Sequence, residues 1–299
     1  MVGSAIWRAL EAEGYTSLIG RTSAALDLRN QQATLDFFQK ERPRAVIDAA
    51  AKVGGILANQ EDQLGFLLEN MQIQNNLISA ALAMDIPKFI FLGSSCIYPK
   101  MAPQPLKEEY LLTGPLEPTN EGYALAKITG VKLIEAARNQ LGKDYLSLMP
   151  TNLYGPNDNF DLKTSHVLPA MIRKFHEAKE NNNAPVTLWG TGNPMREFLH
   201  ADDLARAVVF SLEHPMEHSL YNVGTGKDIS IKELALMIQE IVEHKGEIRW
   251  DTSKPDGTPR KVLDVGRLRD GGWDAQISLQ IGLEEVCQYY SDISATPSK

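Results

Sequence analysis

The chain has 299 residues, 43% of them hydrophobic and 23% charged, with a net charge of -8. That length can bury a full core, as one large domain or as two that share an interface. The acidic balance excludes general binding to nucleic acid or to acidic membranes, because like charge repels, yet it permits an anionic ligand held by a local cluster of cations. No apolar run approaches membrane-spanning length, and a leader-like opening is not expected. The two cysteines, Cys96 and Cys287, form no metal-type or disulfide-type pattern, so a reducing cytoplasm and no metal are expected.

Met1-Val2-Gly3-Ser4 opens directly into an amphipathic stretch, Ala5 to Leu10. This is the pattern that follows the Gly-rich turn of a nucleotide-binding βα unit, where a helix N-terminus faces a pyrophosphate. Gly3 reads as the last glycine of such a turn, with the first strand apparently missing. Tyr15 to Gly20 then reads as a strand that ends at Arg21-Thr22. A helix around Leu35 to Phe38 precedes a strand over Arg44 to Ala51. A long amphipathic helix runs from about Leu64 to Met84, and Phe89 to Leu92 has the unbroken apolar character of a strand buried on both faces. Another helix spans the stretch YALAKITGVKLIEAAR, and YLSLMPTNLYG supplies the next strand. This alternation predicts an α/β fold: a Rossmann-type, doubly wound parallel sheet that takes its ligand at the carboxyl ends of the strands. The second half is less regular and predicts a smaller α/β substrate-binding lobe. The expected division is 1–155 plus roughly 197–225 for the nucleotide domain, and 156–196 plus 226–299 for the lobe, with Gly155-Pro156 as the linker signal.

Three segments carry the chemistry. GSSCIYP sets Ser94 and Cys96 at the end of an apolar strand. GYALAK sets Tyr123 and Lys127 one helical turn apart, so they share a face. PTNLYGP ends the next strand with polar side chains at the same edge of the sheet. Taken singly, each has a plain structural explanation: surface neighbours for the Tyr and Lys, a turn or cap for the Ser.

Their order and spacing resemble the extended short-chain dehydrogenase/reductase family, whose members act on nucleotide sugars. The series AAKVGGI, FLGSSCIYP, EPTNEGYALAK, MPTNLYGPNDNF, SHVLPAMIRKFHEA, WGTGNPMREFLHADDLA, YNVGTG and KPDGTPRKVLDV covers nearly the whole chain. It is similar to the GDP-L-fucose synthase group of that family. The resemblance implies an enzyme that inverts C3 and C5 of GDP-4-keto-6-deoxy-D-mannose and then reduces C4 with NADPH. By the same resemblance about a dozen residues, one strand and most of the glycine turn, would lie before Met1, and an upstream start is expected. Another nucleotide-sugar epimerase or dehydratase stays open as an alternative, as does a catalytically silent nucleotide-sugar or NADP-binding protein.

Each implied role has a physical reason. A tyrosine titrates at about 10 in water; a nearby ammonium is expected to lower that value, so that Tyr123 trades protons with the C4 oxygen. Lys127 would also hold the nicotinamide ribose, and Ser94 would hydrogen-bond the ketone. Protons next to a ketone are acidic, and inverting those carbons needs one group to take a proton and another to return one on the opposite face. By resemblance that pair is Cys96 and His166, whose unperturbed values, about 8.5 and about 6.5, bracket neutrality. Gly3, Arg21, Tyr123, Lys127 and His166 form the expected cofactor set. Arg21 stands where an NAD-preferring unit usually has an acid, which favours the 2′-phosphate of NADPH. Asn152, Lys174, Trp189, Arg196, Arg260 and Lys261 form the expected substrate set: an amide for the hexose, a flat indole, and cations for the diphosphate. His200 to Asp203 read as a helix start with carboxylates at its positive end, outside catalysis. The helices at Leu64–Met84 and Lys127–Arg138 could form the four-helix bundle of a homodimer, as the family suggests, or could be internal.

Overall fold

The computed structural model describes residues 1–254 and 256–295. In chain order its elements are α1 (Val2–Ala12), α2 (Gln31–Glu41), β1 (Ala45–Asp48), α3 (Ile56–Glu61), α4 (Gln63–Ala83), β2 (Lys88–Leu92), α5 (Glu121–Leu141), β3 (Asp144–Pro150), β4 (Asn152–Tyr154) and α6 (Val167–Glu180). There follow β5 (Val186–Trp189), β6 (Met195–His200), α7 (Ala201–Glu213), β7 (Leu220–Val223), β8 (Asp228–Ser230), α8 (Ile231–Val242), β9 (Ile248–Asp251), β10 (Arg260–Lys261), α9 (Gly266–Asp270) and α10 (Leu279–Ala295).

Four strands form a parallel sheet in the order β1-β2-β3-β7. Its two central strands bury Phe89, Ile90, Phe91, Tyr145, Leu146 and Leu148 completely, which is why their sequences are apolar on both faces. On one side Phe89, Phe91 and Tyr145 pack against Leu77 and Ile78 of α4 and Ile128, Val131 and Ile134 of α5. On the other, Ile90, Leu146 and Leu148 meet Ala5, Ile6 and Leu10 of α1 and Leu204, Ala205 and Val208 of α7.

Two details place the catalytic edge. The α5 helix lies close to its neighbours because it has glycines at the contacts: a Cβ on Gly122 would come within 2.7 Å of the Gln63 carbonyl of α4, and one on Gly130 would collide with the Phe91 ring. Buried Gln74 of α4 locks the pair by donating to the Ala126 carbonyl at 2.6 Å. After β3 the chain leaves the sheet, and β4 pairs with β6 instead. That switch opens a second lobe, with a core that includes Phe160, Ile172, Phe175, Leu234, Ile238 and Leu283. Leu263, Val265, Leu268 and Trp273 then return to the two cores of the first sheet, a crossing that the chain-order division above does not contain.

The segment Tyr15–Gly20, expected as a strand, joins no ladder. Its residues favour extended backbone, but a strand exists only with a neighbour to bond, and the edge strand β1 pairs with β2 alone among the described residues. Gly20 lies against the Trp7 indole of α1, and Arg21 is drawn to Glu41 at the end of α2 at 2.9 Å.

Candidate active site at the carboxyl edge of the sheet

Most of the candidate residues come from the turn after β2, from α5, from α6 and its start, and from β4, β5, β6 and β10. Ser94 follows β2, and its hydroxyl accepts the Cys96 N–H at 3.4 Å, capping the short 3-10 turn Ser95–Ile97. The cap and the functional candidate are thus the same side chain. That turn carries Cys96 to a buried position. Burial raises its thiol pKa, while the Lys261 and Lys127 ammonium groups and the Ser94 hydroxyl pull the other way. These opposing influences place Lys261, Lys127 and Ser94 around one sulfur.

From α5, Tyr123 stands edge-on to Phe66, ring centroids 6.3 Å apart. It is half-buried by surface area. Lys127, one turn on, is only 2% exposed. Its Nζ donates to the Leu92 carbonyl at 2.9 Å and lies 4.7 Å from the Phe91 ring centroid and 5.9 Å from that of Tyr123. Here the structure departs from expectation. Tyr123 is not lowered but raised well above its ordinary value, by burial first and then by the nearby Cys96 and Asp48; Ser94 alone opposes this. Burial is the main reason, and Lys127 does not offset it, because its ammonium is spent on the Leu92 carbonyl. The resting phenol therefore keeps its proton, which is the state a proton donor needs.

His166 is the N-cap residue of α6. Its loop is held to the opposite wall, because the Gly55 N–H donates to the Thr164 carbonyl at 3.0 Å and a Cβ on Gly55 would meet the Ser165 carbonyl at 2.7 Å. His166 is exposed by surface area, yet the protein around the ring, and then the Lys261 charge, push its pKa below the usual histidine value. Lys261 lies within electrostatic reach of both Cys96 and His166.

Lys261 owes its position to the two-residue strand β10, whose register sets Lys261 beside Arg196 of β6 and Arg260 beside Met195. Successive residues of a strand face opposite ways. Arg196 and Lys261 accordingly share the cleft face, and Arg260 turns away to pair with Asp228 at 2.5 Å; the structure does not bring Arg260 to the other substrate candidates. Asn152 donates to the Glu197 carbonyl at 2.8 Å. Trp189 is 57% exposed, too open for a core residue, with the Lys254 ammonium 5.5 Å from its ring centroid. Lys174 reaches the Thr187 carbonyl of the same strand at 2.9 Å. His200 is the N-cap of α7, its ring accepting the Asp202 N–H at 3.3 Å, with Asp202 and Asp203 in the first turn.

At the other end of the sheet edge, α1 begins with no side-chain cap and no acid in its first turn. Space is open around Gly3. Free N–H groups at a helix start suit a pyrophosphate, so the start of α1 fits the anionic part of a dinucleotide. Arg21 is less available than its sequence position implies, because Glu41 already holds it.

Sequence reasoning passed over four residues. Glu117 pairs with Lys100 at 3.0 Å and acts on both Arg196 and Lys261. Asp256 clamps Thr191, accepting its N–H at 2.7 Å and its hydroxyl at 2.8 Å. Glu197, fully buried, accepts the N–H groups of Thr225, Gly226 and Leu263 at 2.6, 2.7 and 2.8 Å, which fixes the strand that carries Lys261. Asp48 ends β1 beneath Lys127. A carboxylate in an otherwise apolar strand was the visible signal for Asp48; nothing local marks the others.

Comparison with known proteins gives a consistent result. The NAD dependent epimerase/dehydratase family matches residues 1–224. A probable GDP-L-fucose synthase 1 of Oryza sativa subsp. japonica is 54% identical over 97% of this chain and 89% of its own. The GDP-L-fucose synthase of Escherichia coli (strain K12) is 52% identical over 97% of this chain and 93% of its own. Among solved structures, a GDP-mannoheptose C4 reductase from Campylobacter jejuni with NADP bound is 36% identical, with a TM-score of 0.89 over 97% of this chain and 95% of that one.

Proposed function

The chain belongs to the NAD dependent epimerase/dehydratase family, among its GDP-L-fucose synthases, and on that premise we propose how its residues divide the work. The reaction converts GDP-4-keto-6-deoxy-D-mannose to GDP-L-fucose, by epimerisation at C3 and C5 and reduction at C4, with NADP(H) as cofactor. When bound, NADPH supplies the hydride. The N-terminus of α1 around Gly3 would hold its pyrophosphate, Lys127 and Tyr123 its nicotinamide ribose, and Arg21 its 2′-phosphate once released from Glu41; His166 borders the same end.

Cys96 and His166 work first. With the thiol raised and the imidazole lowered, the resting pair is a neutral acid and a neutral base. One proton is on hand to give and one site is free to take one. Removing a proton beside the ketone builds negative charge on the C4 oxygen; Ser94 donates a hydrogen bond to it, and Lys261 places a positive charge beside the same carbons. Tyr123 then gives its proton to the C4 alkoxide, a transfer its raised pKa favours only once the stronger base has formed. Arg196, Lys174 and Lys261 provide charge for the diphosphate, Asn152 an amide for the hexose, and Trp189 a flat face.

The observation that carries this reading is that the turn Ser94 caps holds Cys96, that Lys127 is bound to the Leu92 carbonyl just before it, and that Lys261, beside Arg196, is within electrostatic reach of both Cys96 and His166. One cleft thereby serves both the proton chemistry and the reduction. The test mixes protein, NADPH and GDP-4-keto-6-deoxymannose and follows NADPH absorbance. One NADPH is consumed per sugar and GDP-L-fucose accumulates; consumption with a product unchanged at C3 and C5 would reject the reading in favour of a simple C4 reductase.

The same reading includes a homodimer. Leu64 and Leu68 of α4 are 73% and 50% exposed, and Leu125 and Leu133 of α5 are 41% and 37% exposed. These leucines recur at helical spacing on two adjoining helices, the arrangement a four-helix interface between two copies would cover. Light scattering at micromolar concentration would give twice the chain mass, and Leu68→Lys would lower it. Two buried free cysteines accord with a cytoplasmic setting.

A further inference from the structure

Asp48 is a buried carboxylate that no step above uses. It is the last residue of β1, and its Cα partners Phe91 of β2, one residue before the Leu92 carbonyl to which Lys127 donates. It is 2% exposed. One oxygen accepts the Ala50 N–H at 3.1 Å, and the other, Oδ2, is buried with no hydrogen-bond partner. Leaving such an oxygen unsatisfied is costly, and so is a buried ammonium with one acceptor for its three N–H groups. No direct ion pair joins the two groups, but Asp48 partners Phe91 across the β1–β2 ladder, the Lys127 ammonium lies 4.7 Å from that same ring, and each is within the other's field.

On this geometry, and building on the proposed function, we infer that Asp48 is the counter-ion of Lys127: a positioning residue that keeps the ammonium charged in a dry site and so sets the upper pH at which Tyr123 can be used. The charges around the pair are few. Lys127 feels Asp48 from β1 and Cys96 from the turn after β2; Asp48 feels Lys127 from α5; Tyr123, on the same face of α5, feels Cys96 and Asp48.

The signs are consistent. Burial raises the Asp48 carboxyl to about 6, still low enough for it to be largely ionised at neutral pH. Burial lowers Lys127, and Asp48 opposes that fall. Without the carboxylate, Lys127 loses its proton at a lower pH. Tyr123, which Asp48 also helps to hold up, moves the same way.

The test needs no turnover. Protein labelled with 13C at lysine Cε is titrated by NMR, and Lys127 is assigned from the signal missing in Lys127→Arg. In Asp48→Asn its titration falls by about one pH unit or more. Asp48→Leu, which removes the orphan oxygen although it also takes the acceptor from the Ala50 N–H, gives the same fall and serves where the amide disturbs folding. In active protein the alkaline limb of NADPH oxidation moves down with it, while C3/C5 proton exchange in deuterated water stays within about twofold. A Lys127 titration that does not move in either folded variant overturns the inference. A wild-type protein that neither exchanges nor oxidises NADPH would instead overturn the proposed function, and the NMR result would stand apart from it.

Discussion

The floor and the wall of the cleft are built by different means. The floor, Ser94, Tyr123 and Lys127, sits on the end of a buried strand and one turn of a 21-residue helix, packed by glycine contacts to α4 and the sheet. The wall, Cys96, His166 and Lys261, comes from a 3-10 turn, a helix N-cap and a two-residue strand. It is held by single ties: Gly55 to Thr164, and Glu197 to three backbone N–H groups. The floor is rigid by packing and the wall by hydrogen bonds. Positions fixed by packing follow from local spacing, whereas positions fixed by ties between distant segments follow only from the fold.

The sharpest way to separate the two is to remove the wall's acid and base. Cys96→Ser and His166→Asn should each cut C3/C5 exchange about a hundredfold or more, with a matching fall in GDP-L-fucose, as loss of a general acid or base does. Mass spectrometry of the sugar in deuterated water reads this. Equal exchange in both variants and wild type would move the proton chemistry off the wall.

A subtler probe keeps both groups and removes the charge between them. His166 is lowered by enclosure first and by Lys261 second, so as a neutral base it works below the usual histidine pKa and is lost only as pH falls through its own. Lys261→Met should raise His166 and shift the acid limb of exchange upward by about half a unit. An unmoved limb would mean that Lys261 does not act on His166. The smallest effect belongs to Arg260, which faces away toward Asp228. Arg260→Ala should leave kcat/KM within about twofold, as expected for an exposed ion pair. A large loss would return it to the substrate set.

Legibility in the sequence follows the same division. The apolar run KFIFL and the Tyr-Lys turn of α5 could be read directly, because burial and helical periodicity are local properties. Tyr15–Gly20 misled for the opposite reason: its residues favour extension, and whether they form a strand depends on a neighbour. The expected fall in the Tyr123 pKa failed first because spacing does not reveal how deeply the phenol is buried, and second because it does not say which acceptor the Lys127 Nζ chooses; the Leu92 carbonyl takes it. Arg260 and Lys261 looked equivalent until the pairing of β10 with β6 turned one in and the other out. Glu117 and Asp256 gave no sign, since each matters through partners far along the chain.

The claim beneath all of this is that one cleft runs two separable reactions, with the phenol serving only the second. Tyr123→Phe in deuterated water, with NADPH present, tests it in a single tube. The account predicts deuterium entering C3 and C5 at a rate within about twofold of wild type while NADPH consumption falls about a thousandfold. Reduction at the wild-type rate, or exchange abolished with reduction intact, would contradict it.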